Sequence, residues 1–110
     1  MPDGLLPGAG LKMRRAAKID ANQPAIVEAL RKCGAFVQSL AAVGNGCPDL
    51  LIGYRGRTIL LELKDGSKVP SAQKLTPDQL RWHGEWRGCA LAVVNDIEGA
   101  LRILKVMEAA

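Results

Sequence analysis

The feature that most constrains this chain is a pair of short apolar runs around a tight turn. Leu50 to Gly53 and Thr58 to Lys64 flank Tyr54-Arg55-Gly56-Arg57. Apolar runs bounded by turn signals read as strands, and two of them joined by so short a connection read as an antiparallel hairpin. Centring the turn on Arg55-Gly56 makes Tyr54 face Arg57 and Gly53 face Thr58. Carried to the open end, the same pairing makes Asp49 face Glu62.

Side chains directly opposed on two strands hold their Cβ atoms about 4.5–5.5 Å apart. Two carboxylates at that distance repel unless a cation lies between them. Lys64 stands two residues beyond Glu62 and therefore on the same face. One end of the hairpin thus gathers Asp49, Glu62 and Lys64, a place for a hard divalent cation with a fixed positive charge beside it. A plainer reading is that Asp49 only begins a strand while Glu62 and Lys64 form an ion pair at a strand end, worth under about 1 kcal/mol.

The rest of the chain frames that hairpin. With 110 residues, 48% of them hydrophobic, it suits one packed domain and not a disordered chain. No apolar run approaches the roughly 20 residues of a membrane span. Met1 to Gly10 lacks the charge-then-apolar order of a secretory signal. The three cysteines are odd in number and far apart, with no Cys-x-x-Cys, so neither a disulfide framework nor a zinc site is expected. A reducing cytoplasm is the simplest expectation. The net charge of +4 is compatible with a polyanionic partner.

Residues 1–20 read as a flexible basic arm, with Arg14 and Arg15 able to touch a nucleic-acid backbone. Residues 21–110 read as a single domain. A first helix is expected over Gln23 to Lys32, with Asn22 as N-cap, Pro24 in the first turn and Ile26, Leu30 and Cys33 as its apolar stripe. Gln23 falls on that inward stripe and Glu28 falls opposite it, paired with Lys32. A strand follows over Phe36 to Leu40, then a glycine-containing loop, then the hairpin. A polar loop carrying Lys68 and Lys74 leads to a second helix from Pro77 to about Arg87, with Thr76 as N-cap. Gln79, Trp82, His83 and Trp86 share a face of it. Gln79 is accounted for by a Thr-x-x-Gln capping box, and His83 and the two tryptophans by packing against the sheet. Cys89 to Val94 is an apolar strand. Asp96 to Met107 is a last helix with Ile97, Leu101 and Leu104 inward. Helix, three strands, helix, strand, helix (αβββαβα) implies an α/β fold, a mixed β-sheet flanked by helices.

The residues Gly46-Cys47-Pro48-Asp49 followed by Glu62-Leu63-Lys64 resemble the signature of the PD-(D/E)XK nucleases, and the order of elements resembles the restriction-endonuclease-like core of that superfamily. With Gln79 leading a helix and Gly88 before an apolar strand, the chain is most similar to the stand-alone VRR-NUC domains common in phage genomes. The resemblance spans about residues 20–107. It implies a Mg2+- or Mn2+-dependent DNA endonuclease, structure-selective for branched or junction DNA, working as a homodimer in the cytoplasm of a bacterial or phage-infected cell. It implies that Asp49, Glu62 and the backbone carbonyl of Leu63 hold the metal, and that Lys64 and Gln79 act beside them. Lys68 and Lys74 join Arg14 and Arg15 as candidate DNA contacts. The superfamily usually carries a glutamate on the first helix, and here the inward residue is Gln23. That departure motivates an alternative, a catalytically weak DNA-binding module on the nuclease fold. A third possibility is a structural subunit docked through its arm.

Overall fold

A computed structural model describes residues 19–109 of the chain. The expected arm, with Arg14 and Arg15, lies outside the described residues save for its last two positions. Three helices and four strands follow in the predicted order: α1 (Gln23–Lys32), β1 (Phe36–Ser39), β2 (Leu50–Tyr54), β3 (Arg57–Leu63), α2 (Pro77–Glu85), β4 (Ala90–Val94) and α3 (Ile97–Ala109). The long polar loop adds a 3-10 turn at Pro70–Gln73. No helix among the described residues is long and apolar enough to cross a membrane.

The strands form one mixed sheet in the order β1-β2-β3-β4. β1, β2 and β3 are antiparallel, and β4 runs parallel to β3 after the crossover through α2. The hairpin register is the one read from its turn, from Tyr54 opposite Arg57 to Leu50 opposite Leu61. Arg55 (φ 53°) and Gly56 (φ 77°) both adopt left-handed backbone, the geometry that matches the twist of a two-residue hairpin.

Alternation along β2 and β3 divides the sheet into two faces. Leu50, Ile52 and Tyr54 on β2 and Ile59, Leu61 and Leu63 on β3 enter one core with Ile26 and Leu30 of α1 and Ala100, Leu104 and Met107 of α3. Leu60 and Glu62 point the other way and are buried there too. Helices therefore cover both faces, as strands apolar on both sides require.

Three local expectations change. Asn22 does not cap α1 through its side chain; its amide instead donates to the carbonyls of Lys64 and Asn95, tying the start of α1 to the ends of β3 and β4. Cys33 is exposed and the inward stripe of α1 is Gln23, Ile26 and Leu30. In α3 the buried stripe is Ala100, Leu104 and Met107, and Ile97 is exposed. Ala100 has no exposed surface, and α3 packs against α1 along a face that includes it.

A candidate active site at the open end of the hairpin

Asp49 is held by its neighbours on three sides. Its backbone N–H donates to the Leu61 carbonyl at 3.0 Å, and its own carbonyl accepts from the Leu40 N–H at 2.7 Å. In a regular antiparallel strand both groups of one residue point to the same neighbour; here they point to opposite neighbours, so the regular ladder ends at Leu50. Asp49 is thus not a ladder partner of Glu62, as the register carried to the open end had it. The bend brings its carboxylate over the end of β3, where Oδ2 accepts from the Leu63 N–H at 2.7 Å. It also leaves the Asp49 carboxyl near enough to Glu62 to raise the pKa of that group.

Among the described residues Glu62 is the ionisable group most removed from water, at 1% exposure. Burial, and next the hydrogen bond and charge of Asp49, push its pKa up to about 8; Lys64 pulls the other way. With no other cation at hand, Glu62 therefore keeps a proton at neutral pH.

Helix α2 closes over this carboxyl. Thr76 opens the helix with a complete capping box: its hydroxyl accepts from the Gln79 N–H, and its own N–H donates to Gln79 Oε1 at 2.9 Å. The same Gln79 side chain reaches the site. Its Oε1 accepts from Lys64 Nζ at 2.8 Å and its Nε2 donates to Glu62 Oε2 at 3.0 Å. Cap and site are two uses of one amide, and Gln79 bridges the lysine and the glutamate. One turn on, His83 places Nε2 3.5 Å from Glu62 Oε1. Burial, and after it the charge of Lys64, lowers the pKa of His83 and favours neutral imidazole.

The approach of α2 depends on a glycine. Gly46 has φ +87°, and a Cβ built there would lie 2.3 Å from the Asp78 carbonyl oxygen. The loop before Asp49 therefore rests on the first turn of α2, in a backbone conformation natural only to glycine.

The other expected site residues lie as follows. Leu63 is buried, and its N–H fixes Asp49. Gln23 is buried as predicted, but on the core side of the sheet, and its amide oxygen has no hydrogen-bond partner. Lys68 and Lys74 are exposed on the loop before α2, and the charge of Lys68 is felt at Asp20.

Three residues near the site were not marked by the sequence. His83 was read as packing; its signal was its place one turn after Gln79 on the same face of α2. Asp20 has its pKa raised by burial and then by the charge of Asp49, against the pull of Lys64 and Lys68. It stands just before α1, in the segment read as arm. The Cys47 thiol is pushed up by burial and then by the Glu62 and Asp49 carboxylates. Trp86 also differs from expectation. It stacks on Trp82 at 5.0 Å, and its ring lies against Gly88, donating its N–H to the Cys89 carbonyl and staying 37% exposed.

A search of solved structures matches a protein titled a VRR-NUC domain, with a TM-score of 0.56 and 25% identity, over 78% of this chain and 97% of that one. The chain folds as a VRR-NUC domain. No family model matches the sequence, and no curated protein does. The match supports the domain and its restriction-endonuclease-like, mixed-sheet core; it carries nothing specific to phages.

The donor set at the open end of this VRR-NUC hairpin suits a divalent cation. Two carboxyl groups meet there, and Glu62 Oε1 is buried without a hydrogen-bond partner. No three His, Cys, Asp or Glu side chains among the described residues converge to cage a metal alone. Carbonyl oxygen and water would complete the coordination, as is usual for Mg2+.

Proposed function

We propose that this VRR-NUC domain is a metal-dependent DNA endonuclease whose centre is the Asp49–Glu62 pair. The observation that carries this reading is a buried carboxyl, Glu62, with the half-buried Asp49 carboxyl beside it and a link through Gln79 to Lys64, on a nuclease-like fold. Asp49 and Glu62 would hold Mg2+ or Mn2+, with the Leu63 carbonyl as a third donor. When bound, such an ion polarises a phosphoryl oxygen and lowers the pKa of its water, which provides the nucleophile that phosphodiester hydrolysis needs at neutral pH.

The side chains then divide the remaining work. The Leu63 N–H orients the Asp49 carboxylate, so it meets its ligand without first losing rotamer freedom. Gln79 holds one oxygen of Glu62 and leaves the other free. Lys64 is aimed by Gln79 rather than by a carboxylate, which keeps its charge available to orient the attacking water or to stabilise charge growing on the phosphoryl oxygens. Exposed Lys68 and Lys74, with Arg14 and Arg15, would meet the DNA backbone.

The test is cleavage of plasmid, branched and flap DNA by Asp49→Asn and Lys64→Ala with Mg2+ or Mn2+. Each should lose about 10²–10³-fold or more. Undiminished cleavage by both variants would sink the assignment. Preference for branched DNA, and a homodimer that places two such centres on two strands, are parts of the same proposal. Light scattering of the protein on a junction checks the latter, and a strict monomer on DNA argues against paired cutting.

A second reading follows from Gln23. An uncharged amide stands where the superfamily usually has a glutamate, so the domain would bind DNA with steep salt dependence and cut it poorly or not at all. Gel retardation that weakens steeply with salt, without cleavage in either metal, would favour it.

A further inference from the structure

The division of work above leaves one buried atom, His83 Nε2, without a role, and it faces the oxygen of Glu62 that Gln79 leaves open. Glu62 Oε1 and His83 Nε2 are both shielded from solvent, neither has a hydrogen-bond partner, and they stand 3.5 Å apart. Their side chains are 2% and 14% exposed. A buried polar atom left unpaired costs about 1–3 kcal/mol, and here two of them face one another. A cation between them removes both costs at once.

The arrangement is built by helical spacing. Gln79 and His83 are one turn apart on α2, so they reach the two oxygens of a single carboxyl. Gln79 takes Oε2, at 3.0 Å, which turns Oε1 toward the imidazole. We propose that His83 supplies a nitrogen donor to the cation held by Glu62, and that this donor makes the site select Mn2+ and later first-row ions over Mg2+. The inference rests on the reading of Glu62 as a metal-binding carboxylate.

Distance and donor chemistry agree with this. Nitrogen and oxygen donors about 2.1 Å from such an ion lie roughly 3.0 Å apart at a right angle and roughly 3.4 Å apart at the tetrahedral angle. The observed separation of 3.5 Å is close to the second figure, so these two atoms are spaced to share an ion. Asp49 does not converge on the same point with them, so joining all three on one ion takes a local shift at the open end of the hairpin. Imidazole suits Mn2+, Co2+ and Zn2+ in rising order of affinity. Mg2+ prefers oxygen and gives up its water reluctantly, so a nitrogen in the donor set contributes little to it.

The experiment is titration calorimetry on the full, chelator-stripped chain, with Mn2+ and Mg2+ taken separately. Wild type should bind Mn2+ at least about tenfold more tightly than Mg2+. His83→Ala should lose about 10–100-fold in Mn2+ affinity and less than about twofold in Mg2+ affinity. Should His83→Ala fail to fold, His83→Gln, which offers an amide oxygen in the same space, serves instead. It should still bind a cation, with the Mn2+:Mg2+ preference collapsed toward that of an oxygen-only site. Visible absorption of bound Co2+ gives a second readout, since the band should shift when the nitrogen donor is lost.

An unchanged Mn2+:Mg2+ ratio in both variants, with an unchanged Co2+ spectrum, overturns the proposal and points to a proton shared by Glu62 and His83. That outcome leaves the nuclease reading standing if wild type cuts DNA. A collapsed ratio without cleavage of any DNA keeps the metal site and sinks the nuclease reading.

Discussion

The two faces of strand β3 differ by one residue in sequence and by almost everything in chemistry. Leu61 and Leu63 enter an apolar core closed by α1 and α3. Glu62, between them, is just as buried, yet it meets Asp49, Gln79 and His83 under α2. Alternation along a strand makes this possible, because one step in sequence is a step through the sheet. The core face secures the register, and the register presents Glu62 to the other face. That other face holds a carboxyl whose ionisation is costly, with one oxygen left unpartnered. A site of this kind stores instability that a bound cation can relieve.

The sharpest way to break this contrast is Glu62→Gln. Cleavage should fall about 10²–10³-fold or more, while the metal-free protein becomes more stable. The sign follows from the shift. The folded pKa of about 8 lies above the ordinary 4.5, so between those values the folded protein keeps a proton that the unfolded chain has lost. The stability tied to Glu62 is present in full below about pH 4.5 and is lost as pH rises to about 8. Glutamine removes that dependence. In chelator, Glu62→Gln should therefore match wild type near pH 4 and exceed it by roughly 2–4 kcal/mol near pH 8, read from denaturant unfolding. Equal stability at both pH values would show that the carboxyl is not strained as described.

Leu61→Ala tests the opposite face of the same strand. Leu61 has no exposed surface, and its truncation should cost about 2–5 kcal/mol through lost burial and the cavity left behind. Cleavage per folded molecule should change much less than in Glu62→Gln. A cleavage loss matching that of Glu62→Gln, at a temperature where the variant is folded, would show that the two faces are not separable.

Gly46→Ala should come next in size. The new methyl would meet the Asp78 carbonyl, and the left-handed backbone at Gly46 adds strain, for a loss of roughly 1–3 kcal/mol. Because the clash pushes α2 off the loop, DNA cleavage should drop as well. Unchanged melting and cleavage would mean that the loop and α2 shift apart freely.

The same contrast explains what could be read from the chain before its structure. The hairpin register was legible, because a two-residue turn and strict alternation leave one pairing that keeps Leu50, Ile52, Ile59 and Leu61 together. From that register came the neighbourhood of Asp49, Glu62 and Lys64. The bend at Asp49 was not legible, because it arises from bonds to Leu40 and Leu61 on two different strands. Asn22 has the residue type of a cap, and only the nearness of Lys64 and Asn95 draws its amide elsewhere. Ala100 was passed over because a small residue carries little of the hydrophobic pattern that marks a buried face, although it is fully buried here. His83 was correctly assigned to the inward face of α2. Which carboxyl that face covers depends on the crossover between β3 and β4, so its role could not be read from helical periodicity.

The smallest effect separates the two uses of Gln79. Thr76→Ala removes the hydroxyl that accepts from the Gln79 N–H, and loss of such a cap costs about 1 kcal/mol. The Gln79 side chain keeps all three of its own bonds, to the Thr76 N–H, to Lys64 and to Glu62. Stability should therefore fall slightly while cleavage stays within about twofold of wild type. Gln79→Ala removes the bridge as well as the cap contact, leaves Lys64 and Glu62 Oε2 without their shared partner, and should lower cleavage by tenfold or more. If Thr76→Ala lowers cleavage as much as Gln79→Ala does, Gln79 acts on the site only by starting the helix, and the bridge between Lys64 and Glu62 has no share in the chemistry.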